Sequence, residues 1–134
     1  MGVADIPLLG QIKGRLGWLD ERQRVIASNV ANADTPGYVG RDLRQPADFA
    51  AAMQNRRLTM TRTNVAHIAP AGSPVRFDPT KAPDSETTLD GNSVVVEEQM
   101  LKMAESRMAY DAAIGFYQKS MSMIRLAAKK PGQA

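Results

Sequence analysis

The sequence predicts a mainly α fold in which long N- and C-terminal helices pair as an antiparallel coiled-coil hairpin, with a small irregular, weakly β middle segment. Three observations carry that prediction. Apolar residues recur at steps of three and four near both ends of the 134-residue chain. Six of the eight prolines fall between residues 34 and 92, which breaks any long helix there. Aromatics are only 5% of residues, so a core has to be built from Leu, Ile, Val, Met and Ala. The organisation that follows is an N-terminal helical segment over 1–33, a turn, short helix and irregular stretch over 34–92, and a C-terminal helical segment over 93–134. Together they form one structural unit.

The first helix is predicted from about Ile6 to Ala33. Asp5 is placed to cap it, and Pro7 suits a first turn, where backbone donors lack partners anyway. Its seam reads Leu9, Ile12, Leu16, Leu19, Ile26 and Val30, with a miss at Gln23. That seven-residue stripe is a coiled-coil seam more than a globular face. Gly10, Gly14 and Gly17 lie opposite the seam, each costing a helix interior about 1 kcal/mol relative to Ala. The sequence therefore predicts that the first half of this helix becomes stably helical on assembly.

The last helix is predicted from about Ser93 to Ala128, capped by Asn92 or Ser93 and with Glu97 and Glu98 near the positive end of its dipole. Its seam reads Val96, Met100, Met103, Tyr110, Ile114, Tyr117, Met121 and Ile124, with one polar step at Arg107. Seven further apolar residues fall off the two seams: Trp18, Val25, Leu101, Met108, Phe116, Met123 and Leu126. A lone hairpin leaves them in water, and exposed apolar surface marks an interaction face. They are the candidates for contact with neighbouring subunits.

In the middle, Pro36-Gly37 forces a turn, and the residues after Pro46 read as a short helix ending near Arg57. Leu58 to Thr63 reads as a strand, with Val75 to Phe77 and Thr87 to Leu89 as weaker candidates.

No catalytic grouping emerges. The chain has no Cys, and His67 has no acidic residue within ten positions on either side. Asp78, Asp84, Glu86 and Asp90 lack the spacing of a calcium loop. The expectation is a protein that is not an enzyme, with no cofactor and no catalytic or metal residues. A net charge of +3 and a pI near 9.4 raise a basic helical nucleic-acid binder as an alternative. Asp20 and Glu21 interrupt the basic residues of the first helix, so nucleic acid is not expected as a partner. Nothing in the sequence reads as a cleaved signal or a membrane span.

One stretch is distinctive: Ser28, Asn29, Val30, Ala31, Asn32, Ala33, Asp34, Thr35, Pro36, Gly37 and Tyr38. Physically it is a helix end running into a turn, with Asn side chains able to bond free carbonyls and Tyr38 as an amphipathic anchor. It closely resembles the N-terminal signature of the bacterial flagellar axial proteins, the rod, hook and hook-associated subunits. The signature residues are Ser28, Asn29, Ala31, Asn32, Asp34, Thr35, Pro36, Gly37 and Tyr38. The run Asp90-Gly91-Asn92-Ser93-Val94, with Glu97, Glu98, Gln99 and Met100 after it, also resembles the way a rod member of this family opens its last helix.

The resemblance implies a structural subunit that polymerises into the proximal rod of the basal body, the drive shaft that carries torque from motor to hook. It implies passage through the flagellar type III export apparatus without a cleaved signal peptide, into a rod that spans the periplasm. It implies as partners further copies of the chain, other proximal rod proteins, the rod adaptor protein FliE and the base at the membrane ring. Another axial subunit is the alternative within the same class.

Overall fold

The computed structural model describes residues 7–45 and 77–129. Four elements follow in order: helix α1 (Pro7–Ala31), strand β1 (Arg41–Leu43), strand β2 (Pro79–Lys81) and helix α2 (Val96–Ala128). The expected cap Asp5, the short helix after Pro46, the strand from Leu58 to Thr63 and His67 all lie outside the described residues.

The helices pair antiparallel along their length. Asn29, near the end of α1, bonds Gln99 in the first turns of α2, while the Lys13 ammonium sits 6.0 Å from the Tyr117 ring nearer the opposite end. α1 holds 25 residues and α2 33, or about 37 and 50 Å of helix. Leu9, Ile12, Leu19 and Ile26 are buried on α1, with Leu16 and Val30 half-buried. α1 begins at Pro7 and runs unbroken past its three glycines. A Cβ added at Gly10 or Gly17 would meet nothing within 4 Å, so no part of the described chain lies close over those positions.

On α2 the inward face differs from the expected stripe over its first three turns. Met100 is 63% exposed and Arg107 is exposed, while Gln99 and Ser106 are buried in their place. Gln99 is held inward by hydrogen bonds to Asn29 and Asp84, which carries Met100 to the outside, and Ser106, seven residues on, shares the face of Gln99. Met103, Tyr110, Ile114, Tyr117, Met121 and Ile124 are all half-buried, as is Val96 before them.

β1 is a strand that the sequence did not announce. It pairs antiparallel with β2, Arg41 opposite Lys81, Asp42 opposite Thr80 and Leu43 opposite Pro79. Of the weaker strand candidates, Thr87 to Leu89 forms no strand, and of Val75 to Phe77 only Phe77 lies among the described residues, just before β2. β1 runs back along α1 and covers Trp18 and Val25, which are 1% and 8% exposed. These two are therefore core residues of the chain itself and not free for neighbouring subunits. They cluster with Leu19 and Leu43, and Phe77, Ala109 and Tyr110 pack against the cluster. The indole N–H of Trp18 donates to the Arg44 carbonyl at 3.3 Å, and the Arg15 and Arg22 guanidinium groups lie 4.6 and 5.5 Å from its ring. Arg22 also grips Asp42 of β1 with two bonds of 3.0 Å, a fork that fixes the strand to the helix.

Five of the other off-seam residues remain uncovered by the described chain. Leu101, Met108, Phe116, Met123 and Leu126 are 54–72% exposed and form a stripe down the outer side of α2. No helix among the described residues is long and apolar enough to cross a membrane. Replacing buried Leu19 by Ala is expected to cost about 3 kcal/mol of stability. Met123→Ala should stay within about 0.5 kcal/mol of the parent. Urea unfolding followed by circular dichroism compares the two.

Candidate functional site

The signature stretch closes α1 and turns the chain. Asn32 bonds back to the Ser28 carbonyl through its backbone N–H at 3.1 Å and its side-chain amide at 2.8 Å, satisfying a terminal helix carbonyl. Thr35 donates its N–H to the Asn32 carbonyl and its hydroxyl to Asn32 Oδ1. Tyr38 N–H then closes on the Thr35 carbonyl at 3.2 Å. Gly37 sits at φ +71°, a conformation that side-chain-bearing residues resist. Ala31, Asp34, Thr35, Pro36 and Gly37 are exposed, and Ser28 is exposed although its carbonyl is bonded.

Asn29 is the exception: it is completely buried. Its amide donates to the Arg41 carbonyl at 2.7 Å and to Gln99 Oε1 at 2.9 Å. Its oxygen accepts from the Arg41 N–H at 3.0 Å and from the Tyr38 hydroxyl at 3.2 Å. The four bonds use its full capacity of two donors and two lone pairs. One residue thus ties the end of α1 to both backbone groups of β1's first residue and to α2.

The chain of bonds continues. Gln99 donates its amide to the Asp84 carboxylate at 2.8 and 3.0 Å, and Lys102 reaches the same carboxylate at 2.7 Å. The Asp84 side chain is fully covered. It also accepts from the Val95 N–H at 2.8 Å, so Asp84 caps α2 from eleven residues upstream. The expected caps are used elsewhere, and α2 starts at Val96, three residues later than expected. Val95 holds the cap position with no side-chain cap bond. Asn92 sends its amide across to the Asn32 and Thr35 carbonyls at 2.9 and 2.8 Å, and Ser93 Oγ accepts from the Gly40 N–H.

The two sequence motifs are therefore one interlocked structure. Gly37 N–H donates to the Asp90 carbonyl and Ser93 N–H to the Tyr38 carbonyl. Gly91, at φ +84°, comes so near Gly37 that an added Cβ would lie 3.4 Å from its Cα. Sequence reasoning singled out Asn29, Asn32 and Tyr38. It missed Asp84 and Lys102 as partners and took Asn92 and Ser93 for helix caps. The one available signal was an amide, Gln99, next to the apolar step at Met100.

Burial by itself raises the Asp84 carboxyl. Bonds from Lys102, Gln99 and the Val95 N–H outweigh it and hold the group below its ordinary value. A lowered folded value means that the stabilisation is complete above the unfolded pKa of about 4 and is lost as pH falls through the folded one. Beside the network a cleft of about 210 Å³ is lined by Val25, Ser28, Tyr38, Arg41 and Pro79, smaller than ordinary ligand sites of about 300–1,000 Å³.

A helical hairpin clamped at one end by a polar network, with an apolar stripe that the described residues leave exposed along one helix, is the architecture of a structural subunit. The sequence profile of the family described as "Flagella basal body rod protein" matches residues 15–38, which run from α1 through the clamped turn. Among curated proteins, the flagellar basal body rod protein FlgB of Proteus mirabilis is 32% identical over 72% of this chain and 75% of its own length. FlgB of Escherichia coli is 32% identical over 70% and 72%, and FlgB of Agrobacterium fabrum 32% over 84% and 86%. The chain belongs to the flagellar basal body rod proteins, structural subunits of the motility apparatus. Within them it belongs to the FlgB family.

Asn29→Ala is expected to cost about 3 kcal/mol, because it strands Gln99 and Arg41 without partners. Gln99→Ala should cost less when added to it than alone, a coupling that a double-mutant cycle reads out. Asp84→Asn should lower the urea midpoint at pH 7 and flatten its fall below about pH 4.

Proposed function

We propose that this chain polymerises with copies of itself and with other rod proteins into the proximal rod, the shaft that carries torque from motor to hook. The observation that carries this reading is the apolar stripe on α2, Leu101, Met108, Phe116, Met123 and Leu126, left uncovered by the described residues on a member of the rod family. Burying such a stripe contributes roughly 25 cal/mol per Å² of apolar area, repeated at every subunit of a polymer. The role is mechanical and requires no reaction, and the segments 1–33, 34–92 and 93–134 serve it as one unit.

The finer assignments rest on the same kinship. They are passage through the type III export apparatus without a cleaved signal, a rod that crosses the periplasm, and contact with FliE and the membrane-ring base. The residues proposed to pair the helices are Leu9, Ile12, Leu16, Leu19, Ile26 and Val30 of α1. Their counterparts on α2 are Val96, Met103, Tyr110, Ile114, Tyr117, Met121 and Ile124.

Met108→Asp and Phe116→Asp separate assembly from folding, since both side chains are exposed among the described residues. Each variant should unfold in urea like the parent yet fail to restore swimming, and to enter purified basal bodies, in a strain lacking the parent gene. Normal swimming by both would overturn the reading.

A further inference from the structure

The β1–β2 ribbon carries a conflict of charge. Arg41 and Lys81 stand directly opposite each other in its register. Directly opposed residues of an antiparallel pair share one face with their Cβ atoms about 5 Å apart, and like charges there are destabilising. Both side chains are exposed, and neither has an ion pair among the described residues.

The acids that could relieve the pair are engaged elsewhere. Asp42 of β1 is held by Arg22, Asp84 beyond β2 by Lys102, and Asp20 and Glu21 of α1 by Arg24. Asp78 comes one residue before β2 and, by the alternation of a strand, falls with Thr80 on the other face. Outside the described residues the sequence supplies only Asp5 and Asp48 as acids, against Arg56, Arg57, Arg62, Arg76 and Lys130. The chain has few carboxylates left to offer.

Arg41 also lines the cleft between α1 and the ribbon, together with Val25, Ser28, Tyr38 and Pro79. Pro79 lies two residues before Lys81 and so shares its face. Val25, Pro79 and the Tyr38 ring make apolar walls. The Tyr38 hydroxyl is taken by Asn29, while the Ser28 hydroxyl has no bond among the described residues. At about 210 Å³ the cleft is too small for an ordinary ligand and wide enough for one side chain. Its occupant needs a short apolar stem for the walls and an anionic tip for Arg41. Aspartate and glutamate have both.

We propose that this cleft receives an aspartate or glutamate side chain from a neighbouring subunit of the rod. The Arg41 guanidinium grips the carboxylate with its fork of N–H donors, the Ser28 hydroxyl donates to it, and Lys81 adds a second positive charge beside it. The opposed cations are a cost to the lone chain that the incoming carboxylate removes. The proposal rests on the rod reading and names a contact apart from the apolar stripe of α2, one that selects a partner by charge.

Arg41→Glu tests it, because folding and docking answer in opposite directions. Across the ribbon the change turns a like-charge pair into an opposite-charge pair. The urea midpoint of the purified chain should therefore hold or rise, more so at low salt than at high. In a strain lacking the parent gene the same variant should fail to restore swimming and to enter purified basal bodies. Arg41→Lys, which keeps the charge without the fork, should swim at reduced speed. Second-site swimming revertants of the Arg41→Glu strain should replace an Asp or Glu of a neighbouring subunit by a neutral or basic residue. A lowered urea midpoint would mean that Arg41 is paired within its own chain, and would overturn the proposal. So would normal swimming by Arg41→Glu, or a set of revertants none of which changes an acid. Should Arg41→Glu swim while Met108→Asp and Phe116→Asp do not, the rod reading stands and the cleft contact alone is removed.

Discussion

The buried amide of Asn29 is bonded on all four sides, to Tyr38, to both backbone groups of Arg41 and to Gln99. Through Gln99 the chain of bonds reaches Asp84, and through Asp84 it reaches Lys102 and the first free N–H of α2. Apolar stripes on two helices would tolerate small rotations and slides, because hydrophobic contact has no direction. A fully satisfied polar network does not, since any slip leaves a buried group without a partner. The clamp therefore fixes three things at once: the register of the helices, the rotation of α2 that turns Gln99 and not Met100 inward, and the path of the chain from α1 into β1.

The rest of the architecture follows. With α2 held in that rotation, Ser106 faces inward and Arg107 faces out. The off-seam row of Leu101, Met108 and Phe116 is turned away from the hairpin. With the turn held, β1 is led back along α1, where the Arg22–Asp42 fork secures it and Leu43 closes over Trp18 and Val25. The apolar surface is thereby divided. α1 is covered on two sides by the described chain, while the described residues leave one side of α2 exposed.

The long helices were legible from residue spacing because periodicity is a local property. Their ends were legible less well. α1 stops at Ala31 and α2 starts at Val96, since Asn92 and Ser93 are engaged across the turn and are not free to cap. Trp18 and Val25 were misjudged for one reason: the strand that covers them, three residues long, is too short to carry a pattern. Of the clamp, the α1 side was legible as a motif. The α2 side was not, because Asp84 reads in the sequence as one acid among several near prolines.

Sequence alone determined that two amphipathic helices flank a proline-rich middle and that a stretch ending in Thr-Pro-Gly-Tyr closes the first. Those features depend on neighbours three or four residues away. Tertiary structure decided which face of α2 is inside and which apolar residues the described chain leaves exposed. Each of these depends on residues that lie far apart in the chain, such as Asn29 and Gln99 or Lys13 and Tyr117. Their meeting is set by the geometry of hydrogen bonds, which no spacing along the sequence encodes.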